Sequence, residues 1–207
     1  MIVRGDPSST AVPRVEAAPD AVLAARLAAR DPVALREAIA LHGAVLHRIA
    51  YRMTGDAHEA ADIVQEAMLR LWDQAAKIAA RHPVGSQAAV TLRLGGWLCR
   101  VVTNLAIDRL RRSRRLSGGE VPDSEDDAPL ADALIEADER DCSARRLIAA
   151  LPERQRAAIV LTYYEELPNA AAAEALDMNI KAFESLLLRA RTALRQAFAA
   201  QADGAEQ

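Results

Sequence analysis

The sequence predicts an all-α protein made of two small helical domains joined by a flexible acidic linker. Its side chains are 51% hydrophobic but only 3% aromatic, and the abundant Ala, Leu and Arg are strong helix formers that pack through aliphatic surface. Apolar residues recur at three- and four-residue spacing along most of the chain, as expected of helices that bury one stripe. Between the two periodic stretches lies SGGEVPDSEDDAPLADALIEAD, broken by Gly and Pro and dense in acids, which reads as a tether. A length of 207 residues suits one or two small domains.

Residues 1–19 mix Pro, Gly, Ser and Ala without periodicity and read as a disordered lead. A first helix over about 20–29 ends before Asp31-Pro32, where Asp caps and Pro takes the first position of the next helix. That second helix, about 32–53, is expected to bury Leu35, Ala38, Ile39, Leu46, Ile49, Ala50 and Met53. Gly55 and Asp56 then break and restart the chain. The third helix, Asp56 to about Ala76, has the clearest stripe: Ala60, Ile63, Val64, Ala67, Met68 and Leu71. Its opposite face carries Glu59, Asp62, Gln65, Glu66, Arg70 and Asp73, by pattern alone a solvated face. Residues 77–93, with Pro83, Gly85 and Ser86, read as a loop.

From Gly96 to Arg115 a further helix carries Trp97, Val101 and Leu105 at helical spacing, with Arg100, Asn104, Arg111 and Arg115 along another face. Five arginines between 109 and 115 make a dense phosphate-binding patch; Arg near a helix C-terminus is also favourable electrostatics in its own right. The linker spans 116–138. A 20-residue flexible chain has an r.m.s. span of roughly 25 Å and a contour near ~70 Å, so it reaches across two turns of duplex only when nearly extended.

After the linker a helix carrying Arg140, Arg145, Arg146, Leu147, Ile148 and Leu151 leads to Pro152. LPERQRAAIVL starts another, Tyr163 and Tyr164 pack or face a partner, and Pro168 interrupts it. A short helix (Ala170 to Leu176), the turn Asp177-Met178-Asn179 and a longer helix follow, with Asn179 placed to cap the latter. In the longer helix Ile180, Phe183, Leu187, Ala190 and Leu194 form one stripe, and Lys181, Glu184, Ser185, Arg189, Arg191 and Arg195 the wet face. This is the form of a helix-turn-helix, whose second helix fits the DNA major groove; a two-helix corner of an ordinary bundle has the same pattern.

Longer motifs narrow the choice. LPxRQRxxxxLxYYExL, the alanine-rich helix, the turn and ESLLLRARxALR together resemble region 4 of extracytoplasmic-function (ECF) RNA polymerase sigma factors. DIVQE within DAHEAADIVQEAMLRLW resembles their region 2.2, and the Trp97 to Arg115 segment their regions 2.3 to 2.4. The resemblance implies a region 2-like bundle over 20–115, a region 4-like helix-turn-helix domain over 139–198 and a C-terminal tail over 199–207. It also implies that Asp62, Gln65 and Glu66 contact the β′ clamp helices of core polymerase. Trp97, Arg100, Asn104, Arg109, Arg111, Arg112 and Arg115 would lie along the promoter minus-10 element. Asn179, Lys181, Ala182, Glu184, Ser185 and Arg189 would meet the minus-35 element, with region 4 also touching the β flap. Control by an anti-sigma factor is implied as well.

Two residues depart from the family pattern. Many members have Gly where Asp177 stands and a basic residue where Glu184 stands. Asp tolerates left-handed backbone less well than Gly. Glu184 either faces DNA, where it accepts from cytosine N4 and repels phosphate, or bridges to Lys181 or Arg191.

Catalysis finds no support in sequence. His42, His47, His58 and His82 belong to no HExxH or Cys/His metal motif, and there is no glycine-rich phosphate loop or G-x-S-x-G elbow. The expectation is therefore no catalytic residue, no metal and no cofactor. Cys99 and Cys142 have no partner at metal-ligand spacing and read as buried reduced thiols or a redox sensor. No apolar run approaches the ~18 residues of a membrane span, and the N-terminus lacks a signal-peptide core, so a cytoplasmic protein without membrane insertion is expected. The other readings are a stand-alone helix-turn-helix regulator and a sigma-like protein that sequesters a regulator.

Overall fold

A computed structural model of the chain describes residues 18–116 and 144–205, with side chains to residue 200. Most of the N-terminal lead, nearly all of the acidic linker and the start of the helix expected after it lie outside the described residues.

Local chemistry sets most helix boundaries. α1 (Pro19–Ala28) starts on a proline and buries Ala21, Leu23, Ala24 and Leu27. α2 (Pro32–Thr54) is capped by Asp31, whose carboxylate accepts the Val33 N–H at 2.8 Å. It ends at Gly55, left-handed at φ 78° with its N–H donating to the Tyr51 carbonyl. Asp56 then caps α3 (Ala57–Arg81), accepting the Glu59 N–H at 2.8 Å. α3 runs about five residues past its expected end, because the Lys-Ile-Ala-Ala run favours helix until Pro83 stops it. The expected loop shrinks accordingly and contains a 3₁₀ turn, Gln87–Thr91, anchored by buried Ala89 and Leu92.

α4 (Leu94–Leu116) receives its N-terminal cap from far away: the Leu94 N–H donates to the Asp20 carboxylate of α1 at 2.8 Å. Its buried side is Leu94, Leu98, Cys99, Val102, Thr103, Leu105, Ala106 and Ile107. α1 to α4 form one bundle around Leu27, Leu46, Ile49, Met53, Ile63, Leu71, Leu98 and Val102, each almost wholly buried.

The second half comprises α5 (residues 144–149), α6 (Glu153–Ile159), α7 (Asn169–Ala175) and α8 (Ile180–Ala205). α6 runs on as a π-helical turn, Val160–Tyr164, in which the Glu165 N–H donates to the Val160 carbonyl. The chain is all-α among the described residues. α8 extends through Ala205, where the sequence predicts a tail from 199. Phe183, Leu161 and Leu176 centre this half, and its buried residues continue into those of the first.

Two stripe assignments fail. Ile39 is 46% exposed, and Ala34 replaces it in the core, because α2 turns that side away from α3 and α4. Ile180 is likewise 46% exposed while Leu186 is buried, because α6 and α7 cover α8 from one side only.

Candidate nucleic-acid interface

α3 buries Ala60, Ile63, Ala67, Met68 and Leu71 against its neighbours, and this leaves its opposite face in solvent. Asp62 and Gln65 are exposed there and Glu66 is partly exposed. Glu66 is held by Arg70 at 2.6 Å, one turn along α3, and approached by Arg109 of α4 at 3.8 Å. Leu69, 55% exposed, sits one turn beyond Gln65 and Glu66 on the same face. Leu69 belongs neither to the α3 stripe nor to the polar face that the sequence pattern marks, so periodicity gives it no role; an exposed apolar residue among acceptors suits the centre of a protein–protein contact.

The arginines of α4 divide between sides. Trp97, Arg100, Asn104, Arg111 and Arg115 follow one another at helical spacing; Asn104, Arg111 and Arg115 are exposed, whereas Trp97 and Arg100 are half-buried. Arg112 is exposed at the edge of this face. Arg109 projects to the other side, toward Glu66 of α3, and stands apart from the residues expected to accompany it on DNA. Trp97 also packs against the core.

The helix-turn-helix has its expected geometry. Asp177 adopts a left-handed φ of 53° at the turn, and Asn179 Oδ1 accepts the Ala182 N–H at 2.9 Å to cap α8. Lys181, Glu184, Ser185 and Arg189 are exposed on α8, with Ala182 half-buried. Ser185 Oγ donates to the Lys181 carbonyl, and Arg189 Nε to the Ser185 carbonyl, so both polar heads rest along the helix.

The two halves of the chain meet at a polar seam that sequence reasoning missed. Glu165, its side chain 3% exposed, lies between Arg48 at 2.9 Å and Arg52 at 2.8 Å. Arg52 also stacks on the Tyr164 ring, 4.3 Å from its centroid. Arg156 is 7% exposed and donates to the Met53 and Ala149 carbonyls, and burial pushes its guanidinium down to about 10, still cationic at neutral pH. Arg114 pairs with Glu153 at 3.0 Å, and Arg100 with Asp177 at 2.8 Å. The last pair borders an open cleft lined by Glu174, Met178 and Asn179. YYE and the isolated Arg pairs were the available signals, but their partners lie over a hundred residues away.

Cys99 faces this seam from α4. Burial first, then the Glu165 carboxylate, pushes its thiol up to about 11 from 9.0. In a Cys142→Ser chain, Cys99 is expected to react with a disulfide reagent at pH 8 about 100-fold more slowly folded than denatured, as its smaller thiolate fraction requires; equal rates would reject the burial. Between pH 9 and about 11 the unfolded chain sheds this proton before the folded one, so stability falls across that window.

Comparison with known proteins fits this order of surfaces. The sigma-70 region 2 profile matches residues 38–116, and the sigma-70 region 4 profile residues 143–194. ECF RNA polymerase sigma factor SigL of Mycobacterium tuberculosis is 33% identical over 180 residues, covering 81% of this chain and 90% of SigL. The chain belongs to the ECF sigma factors. Similarity extends to SigW of Bacillus subtilis, 27% identical over 177 residues and covering 80% of this chain and 89% of SigW. The fold is shared with CnrH, solved in complex with the cytosolic domain of CnrY: TM-score 0.60, 23% identity, 87% of this chain and 97% of that one. It is shared also with the sigma factor RpoE from Bartonella quintana, solved with the anti-sigma factor NepR: TM-score 0.59, 19% identity, 79% and 96%. This ECF sigma factor therefore works with RNA polymerase and promoter DNA in transcription initiation, and among its described residues no helix is long and apolar enough to cross a membrane.

Proposed function

We propose that this ECF sigma factor divides its work by surface. The face of Asp62, Gln65 and Glu66 docks on the β′ clamp helices, with Leu69 at its centre; α4 opens and reads the minus-10 element; the helix-turn-helix reads the minus-35 element while region 4 touches the β flap. The observation that carries this is the separation of faces on consecutive helices: an acceptor-rich exposed face on α3, then Trp97, Arg100, Asn104, Arg111 and Arg115 along one side of α4. Carboxylate and amide acceptors suit a partner helix that presents Arg donors. A row of arginines suits the phosphates of a strand whose bases are unstacked at a cost of a few kcal/mol. Arg109, turned toward Glu66, links the two surfaces rather than joining the DNA row.

On α8, Lys181, Ser185 and Arg189 supply phosphate and base donors, Asn179 and Ala182 the close approach at the helix start, and exposed Glu184 selects bases by accepting from cytosine. The working units are residues 20–115 and 139–198, tethered by 116–138, and 1–19 and 199–207 flank them. Nucleotide chemistry stays with the polymerase, so the chain is no enzyme, and it acts in the cytoplasm. Control by an anti-sigma factor is supported by the complex of the similarly folded RpoE with NepR.

The test is run-off transcription with purified core polymerase on a genomic fragment library. Transcripts sharing an upstream two-part motif are the expected result. No transcripts, with folded protein and active polymerase, would sink the reading in favour of a stand-alone regulator.

A further inference from the structure

Leu188 of α8 is 59% exposed, although α8 buries Phe183, Leu186, Leu187 and Ala190 around it. At about 100° per residue it lies roughly 160° round the helix from Ala190, on the side away from α6 and α7 and in line with Lys181, Ser185 and Thr192. The hydroxyls on that line are turned inward: Ser185 Oγ donates to the Lys181 carbonyl and Thr192 Oγ1 to the Leu188 carbonyl, each at 3.0 Å. We propose that Leu188 is a specificity-determining residue of the minus-35 contact, packing on the C5-methyl group of a thymine in the DNA major groove. This rests on the assignment of α8 to the minus-35 element.

A single exposed leucine is ordinary on a protein surface, and its neighbours decide what this one meets. Lys181, Arg189 and Arg195 are exposed around it, and such cations suit phosphates. Leu69 of α3, 55% exposed, is set beside Gln65 and Glu66 instead, which suits it to a protein partner. Leu188 is the ninth residue of α8, about 12 Å along the helix, within the stretch that a recognition helix lays in the groove. Of the groups that base pairs present there, the thymine methyl is the apolar one; the others are hydrogen-bond donors and acceptors that a leucine cannot satisfy. Set against one of those, the isobutyl group would strip away water and return no hydrogen bond. The cations thus position the helix, and Leu188 selects thymine at one place along it.

The test uses holoenzyme reconstituted with the full chain to select binders from a pool of randomised linear duplexes. The recovered upstream motif is then remade with uracil for thymine at one position at a time. Uracil keeps every hydrogen bond of thymine and lacks only the methyl group. Wild type is expected to lose about 3- to 5-fold in affinity at one such position, the size of one buried methyl contact. Leu188→Ala holoenzyme should bind the thymine duplex more weakly by about the same factor and no longer distinguish uracil from thymine there, so the two losses do not add. The melting temperature of Leu188→Ala should stay within about 3 °C of wild type, since the side chain is exposed and alanine favours helix. If wild type has no uracil-sensitive position, the inference is overturned. A loss in Leu188→Ala that leaves the thymine-to-uracil ratio intact also overturns it, and places the leucine against the polymerase. The minus-35 assignment fails separately, if Lys181→Ala/Arg189→Ala holoenzyme selects the same upstream motif with undiminished affinity.

Discussion

Changing Asp62, Gln65 and Glu66 together to alanine is expected to lower run-off transcription by at least about 100-fold. Hydrogen bonds to charged partners are worth roughly 1.5–3 kcal/mol each when one side is removed, and every 1.4 kcal/mol is about tenfold in affinity. Removing three such hydrogen bonds from one face therefore reaches that factor even with strong non-additivity. The fold should hardly notice. Asp62 and Gln65 are exposed, Glu66 gives up only surface pairs with Arg70 and Arg109, and alanine favours helix. The melting temperature should therefore stay within about 3 °C, while native-gel binding to core polymerase disappears. Undiminished transcription by the triple variant would show that α3 docks by another face.

Phe183→Ala is expected to unfold the helix-turn-helix. Phe183 is 0% exposed and the largest of the fully buried side chains, seated where α6, α7 and α8 converge. Truncating such a residue costs about 3–5 kcal/mol in lost transfer energy and cavity. A domain of ~60 residues is itself only marginally stable, so the loss is comparable to all it has. The bundle of α1 to α4, with its own core, should survive. Circular dichroism should show an early melting step absent from wild type, and limited proteolysis should leave a fragment ending near residue 116. A single transition shifted by less than about 3 °C would mean that region 4 collapses around the cavity or draws its stability from the seam.

Local and long-range interactions leave different traces in the amino-acid order. The caps at Asp31, Asp56 and Asn179 and the left-handed positions at Gly55 and Asp177 were legible because each depends on residues within about one turn. The α3 stripe was legible for the same reason, and its exposed face followed as the complement. Ile39 and Ile180 were misassigned because periodicity marks an apolar side without saying how wide a sector neighbouring helices cover. Leu69, apolar but outside the stripe, has no side assigned by periodicity, and only the packing of α3 shows it exposed. The arginine cluster of α4 announced itself as charge, but composition could not divide Arg109 from Arg111 and Arg112.

By itself, then, the amino-acid order determined the helices, their ends, the helix-turn-helix and the succession of an acidic face, an arginine face and a DNA-reading motif, since all of these arise from interactions between near neighbours along the chain. Tertiary structure alone decided that Asp20 caps α4, that Glu66 answers Arg109, and that Glu165 and Asp177 close on arginines of the other half. These pairings span from 43 to 117 residues of sequence (109 − 66 and 165 − 48). Helical periodicity cannot specify them, because it repeats every 3.6 residues and carries no record of which helix lies alongside which.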